Sequence, residues 1–304
     1  MSALAQLVTT EKHRAVSWTL VALGDIARSN RWNPAYYEER FVEVEHTLRR
    51  IGAQPLGRFI PETLEDGSKG ITYGQVGERE LNPRGAVRYL QVINIRDTGI
   101  DFAIKPDRIV EGSHNDPPRS RVRAGDILLT RTGFRETTSL LGRCVVVTED
   151  YGKVNISEDI DRIRVVGVSP YYVCAFLKSK YGQLQIQRVV HGVDSQKINF
   201  GRIKELLFPD ASDNNQQRID ELYHRMAGCH RKAMAVKESL LHHLGIEPGR
   251  YGEAINHAAQ RDPVFRRSTE EAKLLLSHLI SEVEGLVEGS RRNIKLYSKP
   301  LYHA

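Results

Sequence analysis

Residues Asn214 to Gly245 read NNQQRIDELYHRMAGCHRKAMAVKESLLHHLG, and how this stretch folds decides the rest. Ile219, Leu222, Met226, Cys229, Ala233, Val236 and Leu240 recur in alternating threes and fours. In a helix that spacing gives a narrow apolar stripe, the seam of a coiled coil and not the broad face of a core helix. Asn214 or Asn215 can cap the start; Gly245, followed by Pro248, ends it. At about 1.5 Å per residue the helix spans roughly 45 Å. So narrow a seam needs a partner helix. The pattern predicts a strut that positions the segment before it against other chains.

Two further helices carry the same spacing. Asn33-Pro34 opens one, with Tyr37, Phe41, Val44, Leu48 and Ile51 on its stripe and Gly52 at its end. Ser268 to Glu288 forms another: Ser268 and Glu271 make a capping box, and Leu276, Leu279, Val283 and Leu286 form the seam. The first and second seams can satisfy each other or pair with another subunit. Val16 to Ile26 reads equally as helix or strand. Residues 246–267 read as loops around a short helix near Tyr251 to Gln260, and the tail from Ser290 is basic and aromatic.

Residues 53–211 have a different texture. Short β-type runs occur at Ile71 to Val76, Val87 to Ile95, Arg108 to Val110, Ile127 to Thr130, Arg143 to Val147 and Ile160 to Val166. Turn signals such as Asp66-Gly67, Asn82-Pro83 and Gly125-Asp126 separate them. Many short strands with irregular loops predict a curled sheet or partly open barrel. Helices follow at about Tyr171 to Tyr181, opened by Ser169-Pro170, and at Phe200 to Leu206. The fold class is therefore α+β, a β-rich module flanked by long coiled-coil-like helices. Four segments result: 1–52, 53–211, 212–246 and 247–304.

The chain has 304 residues, 40% hydrophobic and 27% charged, with a net charge of +6. No apolar run approaches the roughly 20 residues that span a bilayer, and the first residues lack a hydrophobic signal core. These features predict a cytoplasmic protein. Cys144, Cys174 and Cys229 are few, odd in number and far apart, which fits reduced buried thiols. The positive charge sits in the middle of the chain. Lys178 to Lys204 carries a surplus of five and Gly67 to Arg135 a surplus of four, whereas the long helix is near balance. That distribution suits nucleic acid; ordinary surface scatter is the bland alternative.

An ordered series of pieces resembles the specificity subunit of type I restriction-modification systems. They are RYLQVINIRDTGID (88–101), RVRAGDILLTRTG (121–133), SPYYVCAFLKS (169–179) and VHGVDSQKINFGRIKELLFP (190–209). Gln217-Arg218-Ile219 at the head of the long helix and RWNPAYY (31–37) extend the resemblance. It implies a DNA-recognition chain without catalysis of its own. Its partner would be an N6-adenine methyltransferase that holds S-adenosylmethionine, and a restriction or translocating subunit could join. The departure is size. The family carries two recognition domains and two spacer helices, and only one such domain is visible here. Dimerisation about a two-fold axis would restore a two-part, palindromic site.

Reading DNA needs cations for phosphates and hydrogen-bonding side chains for base edges. The loops of the module supply Lys69, Tyr73, Gln75, Arg79, Arg84, Arg131, Thr132, Arg135, His191, Gln196 and Lys197. Arg131 and Arg135 lead, because arginine reads guanine bidentately and Gly133 lets the loop approach a duplex. Arg119, Arg121 and Arg123 would share one face of a strand, suited to phosphate contact or to protecting a sheet edge. Catalytic motifs are sparse. There is no Gly-rich phosphate loop, and Asp116-Pro117-Pro118-Arg119 has arginine where a methyltransferase would carry a stacking aromatic. Glu271-Ala272-Lys273 lacks a paired upstream acid, and His224, His230, His242 and His243 do not gather with Cys229 into a metal site. A DNA-recognition subunit is the leading reading. A lone nuclease or methyltransferase, or a helical adaptor without DNA, are the alternatives.

Overall fold

The computed structural model describes residues 12–13, 16–17, 23–29, 32–75, 81–134, 140–190, 195–243 and 252–297. The stretch that read equally as helix or strand divides between the two. β1 (Lys12–His13) pairs with β2 (Val16–Ser17), and α1 (Leu23–Ser29) follows. The Asn33 side chain accepts from the Ala35 N–H and Pro34 opens a 3-10 turn, Pro34–Tyr37. Then comes α2 (Glu39–Arg50), which stops before Gly52, whose φ of 79° lies in the left-handed region open to glycine. The module runs through β3 (Gln54–Pro55), β4 (Ile71–Tyr73), β5 (Val87–Leu90), β6 (Arg108–Ile109), β7 (Ile127–Thr130), β8 (Thr132–Phe134), β9 (Cys144–Val146), β10 (Val154–Ile156) and β11 (Ile160–Ile163). α3 (Pro170–Lys178), α4 (Lys180–Val189), β12 (Ser195–Lys197), α5 (Phe200–Glu205) and β13 (Leu207–Phe208) lead to three last helices: α6 (Asp213–His243), α7 (Gly252–Ala259) and α8 (Pro263–Tyr297).

The architecture is α+β. Four strands in the order β4-β11-β7-β9 form an antiparallel sheet, and β10-β5-β6 form a second sheet in which β10 and β5 are parallel. β8 pairs with β12, and β3 with β13. Successive side chains on a strand face opposite ways, and both faces of the four-stranded sheet are covered. Ile127 and Leu129 join Cys144, Val146 and Ile163 in the cluster built with the helices, while Leu128, Val145 and Ile160 meet Leu90, Val154 and Ile156 under the second sheet. Burial on two sides is why Ile127–Thr130 reads as continuous apolar residues and not as alternation. The two sheets join where β10 runs into β11.

The helix cluster draws Val44 and Leu48 from α2, Tyr172 to Leu177 from α3, Ile219 and Met226 from α6, and Leu279 and Val283 from α8. α2 is a core helix packed on α4, α8 and β13; its stripe does not pair with that of α6.

Three expectations about the long helices change. α6 begins at Asp213, with the Ser212 hydroxyl accepting from the Asn215 N–H at 3.4 Å, so Asn214 and Asn215 are inside the helix. α8 begins at Pro263, where Asp262 Oδ1 accepts from the Val264 and Phe265 N–H groups at 2.8 and 3.0 Å. Ser268 is buried inside that helix, so the capping box is not its start. The seam of α6 is also covered within the chain. Arg218 pairs with Glu282 at one end and Ala233 packs with Phe265 at the other, so α6 and α8 run antiparallel as a hairpin.

α6 buries more than the seam. Tyr223, His230 and Lys237 form a second buried stripe at seven-residue spacing, turned toward the module. The Tyr223 hydroxyl accepts from the Val146 N–H at 2.8 Å. His230 Nδ1 meets Thr98 Oγ1 at 2.9 Å, and Nε2 meets the Ile100 carbonyl at 3.1 Å. Lys237 Nζ donates to Asp101 Oδ2 at 2.7 Å. A Cβ at Gly99 would lie 2.3 Å from His230 Cδ2, so only glycine permits this approach. The helix is docked on the module along much of its length. Among the described residues, no helix is long and apolar enough to cross a membrane, and no group of His, Cys, Asp and Glu is placed to hold a metal ion.

Candidate nucleic-acid interface

The edge of the module where β4, β11, β8 and α5 meet gathers cations and aromatic rings. Arg131 sits between β7 and β8. Its N–H donates to the Asp159 carbonyl at 2.9 Å, and its carbonyl accepts from the Ile198 N–H at 3.0 Å. Its guanidinium carbon lies 4.5 Å from the Tyr73 ring centre and 5.3 Å from that of Phe200, and the two rings are 5.4 Å apart. Tyr73 is there because β4 pairs with β11 in the register that sets it opposite Asp161. Asp161 Oδ1 is 3.6 Å from Arg131 Nε. Asp161 is fully buried, and neither of its oxygens has a hydrogen-bond partner among the described residues. Burial pushes its carboxyl well above the usual range, with Arg131 opposing the shift. Arg131 keeps 15% of its side chain exposed, and its sealed Nε makes no hydrogen bond to any described residue.

Beside this cluster lies a groove of about 470 Å³ lined by Lys69, Thr72, Tyr73, Arg119, Phe200 and Lys204, among others. Arg119 donates to Gln75 Oε1 at 2.8 Å, and Lys204 pairs with Glu62. The Lys204 ammonium holds the Glu62 carboxyl below its ordinary range. Arg162, fully buried on β11, pins the groove from beneath. Its Nη2 donates to the carbonyls of Lys69 at 2.9 Å and Arg119 at 3.2 Å, and burial pushes its pKa down to about 10. Arg164 grips Asp126 at 2.6 and 3.1 Å and reaches Ser68 Oγ at 2.8 Å. Both arginines tie the loop before β4 to the sheet.

Of the residues singled out in the sequence, Lys69, Tyr73, Gln75, Arg119 and Arg131 come together here. Gln196 and Lys197 lie on β12 opposite Gly133 and Thr132, so they share this edge. Thr132 is buried and its hydroxyl has no partner among the described residues. Arg84 is exposed in a separate turn, where its N–H donates to Asn82 Oδ1. Arg79, Arg135 and His191 lie outside the described residues. The shared strand face for Arg119, Arg121 and Arg123 is not formed: Pro118–Ser120 is a 3-10 turn and no strand follows until Ile127. Arg121 instead clasps Asp116 with two nitrogens, and Arg123 pairs with Asp66 at 2.6 Å. The prolines at 117 and 118 forbid a regular ladder there and turn the chain.

Phe200, Lys204, Asp161 and Arg162 join this candidate site, although the sequence does not single them out. Phe200 and Lys204 carried a signal, an aromatic within the most basic stretch of the chain. Asp161 and Arg162 carried none, because charges in a short strand read as solvent-facing residues.

No protein-family model matches the chain, and no curated protein matches its sequence. Among solved structures, it is similar to the chain described as the "Type-I restriction-modification system S subunit from M. genitalium", at 12% identity and a TM-score of 0.34. The match covers 62% of this chain and 45% of that one, so it spans less than half of that protein's length.

Proposed function

We propose that the chain is a DNA-recognition subunit without catalytic activity of its own, reading duplex DNA with the module edge around Arg131. One observation carries this reading: an arginine whose Nη groups bond to no described residue stands on two aromatic rings beside a groove bearing Lys69, Arg119 and Lys204. The rim cations suit phosphates, and the held guanidinium suits a base edge. The ordered sequence pieces support the restriction-modification setting. There the α6–α8 hairpin would dock an N6-adenine methyltransferase that supplies S-adenosylmethionine, and a translocating subunit or a second copy could join.

Fluorescence anisotropy of the full chain on labelled random and selected duplexes, across a salt series, tests the reading. Lys69→Gln and Arg119→Gln should weaken both duplexes alike, each flattening the slope of log affinity against log salt by about one unit. Arg131→Gln should weaken the selected duplex more than the random one. No DNA retention at low salt refutes the reading. Plasmid cleavage or methyl transfer by the chain alone, with Mg²⁺ and S-adenosylmethionine, would replace it with an enzyme.

A further inference from the structure

We infer that Arg131 reads one guanine, its Nη1 and Nη2 donating to O6 and N7, and that Tyr73, Phe200 and Asp161 are positioning residues that aim this fork. The inference rests on the DNA-recognition reading above and sharpens it to one base. A mobile surface arginine suits phosphate as well as guanine, because charge alone attracts it. Arg131 is not such a residue. Tyr73 and Phe200 hold its plane at 4.5 and 5.3 Å, which fixes the direction in which its planar fork points.

Asp161 settles which edge is presented. It sits 3.6 Å from Nε, on the sealed side. That is too long for a hydrogen bond, so it consumes no donor. It is close enough to keep the Nε edge inward. Nη1 and Nη2 are not sealed, and they bond to no described residue. They form the end-on pair that matches the two acceptors of guanine in the major groove. Lys69, Arg119 and Lys204 already supply cations beside Arg131. A sealed carboxyl group with no hydrogen-bond partner among the described residues is costly to keep. Its contact with Arg131 gives that position a use.

The test begins with duplexes selected from a random library by the full chain. Each guanine of the selected site is then replaced singly by 7-deazaguanine, which removes N7. One position should weaken binding roughly tenfold to a hundredfold, and Arg131→Gln should make that position insensitive. Asp161→Asn, which keeps the side-chain shape, and Tyr73→Leu should each remove most of that sensitivity, read as the ratio of affinities for the unmodified and the 7-deaza duplex. Tyr73→Phe, which keeps the ring, should retain it. If Asp161→Asn does not fold, Tyr73→Leu still decides, because it acts from the solvent side. No guanine-sensitive position in the wild type overturns the base assignment. Full sensitivity in Asp161→Asn and Tyr73→Leu overturns the positioning role. Equal losses on selected and random duplexes in Arg131→Gln overturn base reading while DNA binding stands, and absence of any DNA binding removes the underlying reading as well.

Discussion

Lys237→Met should destabilise the protein far more than a change on the surface of a long helix. Lys237 and Asp101 meet at 2.7 Å with only 6% and 3% of their side chains exposed. At an effective dielectric constant of about 20, their attraction is worth about 6 kcal/mol. Removing both ions from water takes back several kcal/mol for each, so the intact pair adds little net stability. Removing one member is different. It leaves Asp101 buried with little more than the Ala103 N–H at 3.1 Å to help it. The expected loss is about 3–5 kcal/mol for Lys237→Met. Lys237→Met combined with Asp101→Leu should return to within about 1 kcal/mol of the wild type, or exceed it. Urea unfolding followed by far-ultraviolet circular dichroism gives both numbers. Hydrogen exchange at residues 95–101 shows whether the loop leaves the helix. A loss below about 1 kcal/mol for Lys237→Met would mean that water reaches the pair, and the docking of α6 on the module would be refuted.

His230 should make stability depend on pH. Burial holds its pKa below the ordinary value, so the folded chain resists a proton that the unfolded chain accepts near 6.5. Its contribution is whole above that pH and drains away below it, at up to about 1.4 kcal/mol per pH unit. His230→Gln should flatten this dependence in urea midpoints at pH 7.5 and 5.5; an unchanged slope would place the titration elsewhere. Arg121→Gln should lower stability by about 1.5–3 kcal/mol, because Asp116 loses a two-pronged charged partner. It should leave the salt slope of DNA binding intact, and a slope flattened as much as by Arg119→Gln would make Arg121 a phosphate contact after all.

The elements that the sequence announced are those whose pattern faces one environment. The stripe of α6, the Asn33-Pro34 start and the Ser169-Pro170 start were all visible, because a cap or a periodic face is local information. α4 was not. Tyr181, Gly182, Ile186 and Val189 are its buried residues, too few and too close behind α3 to separate from it. β10, β12 and β13 have two or three residues each and are held by pairing with distant strands, which no window of sequence contains. The site divides along the same line. Its cations were legible as a charge surplus. Which arginine keeps its Nη donors uncommitted among the described residues was not, since Arg121 and Arg131 lie in similar strings and differ through Asp116, reached across a turn, and Asp161, reached across a sheet.

The second stripe of α6 changes what that helix can do. Tyr223, His230 and Lys237 repeat every seven residues as plainly as the apolar seam does, but their polar tips hide them from a search for hydrophobic periodicity. Each tip meets a partner in the module, so the helix and the module form one body as far as Lys237. A free strut would set a spacing by its whole length of 31 residues. A docked one sets it by the part beyond its last contact, which from Lys237 to His243 is about 9 Å of rise. A heptad inserted between Ala233 and Val236 would therefore not simply lengthen a ruler, because it would carry Lys237 two turns away from Asp101. Placed after Lys237, and matched by a heptad in α8 before Phe265, the same insertion would keep the docking contacts. Only there can the hairpin's length be varied independently of how the module is held.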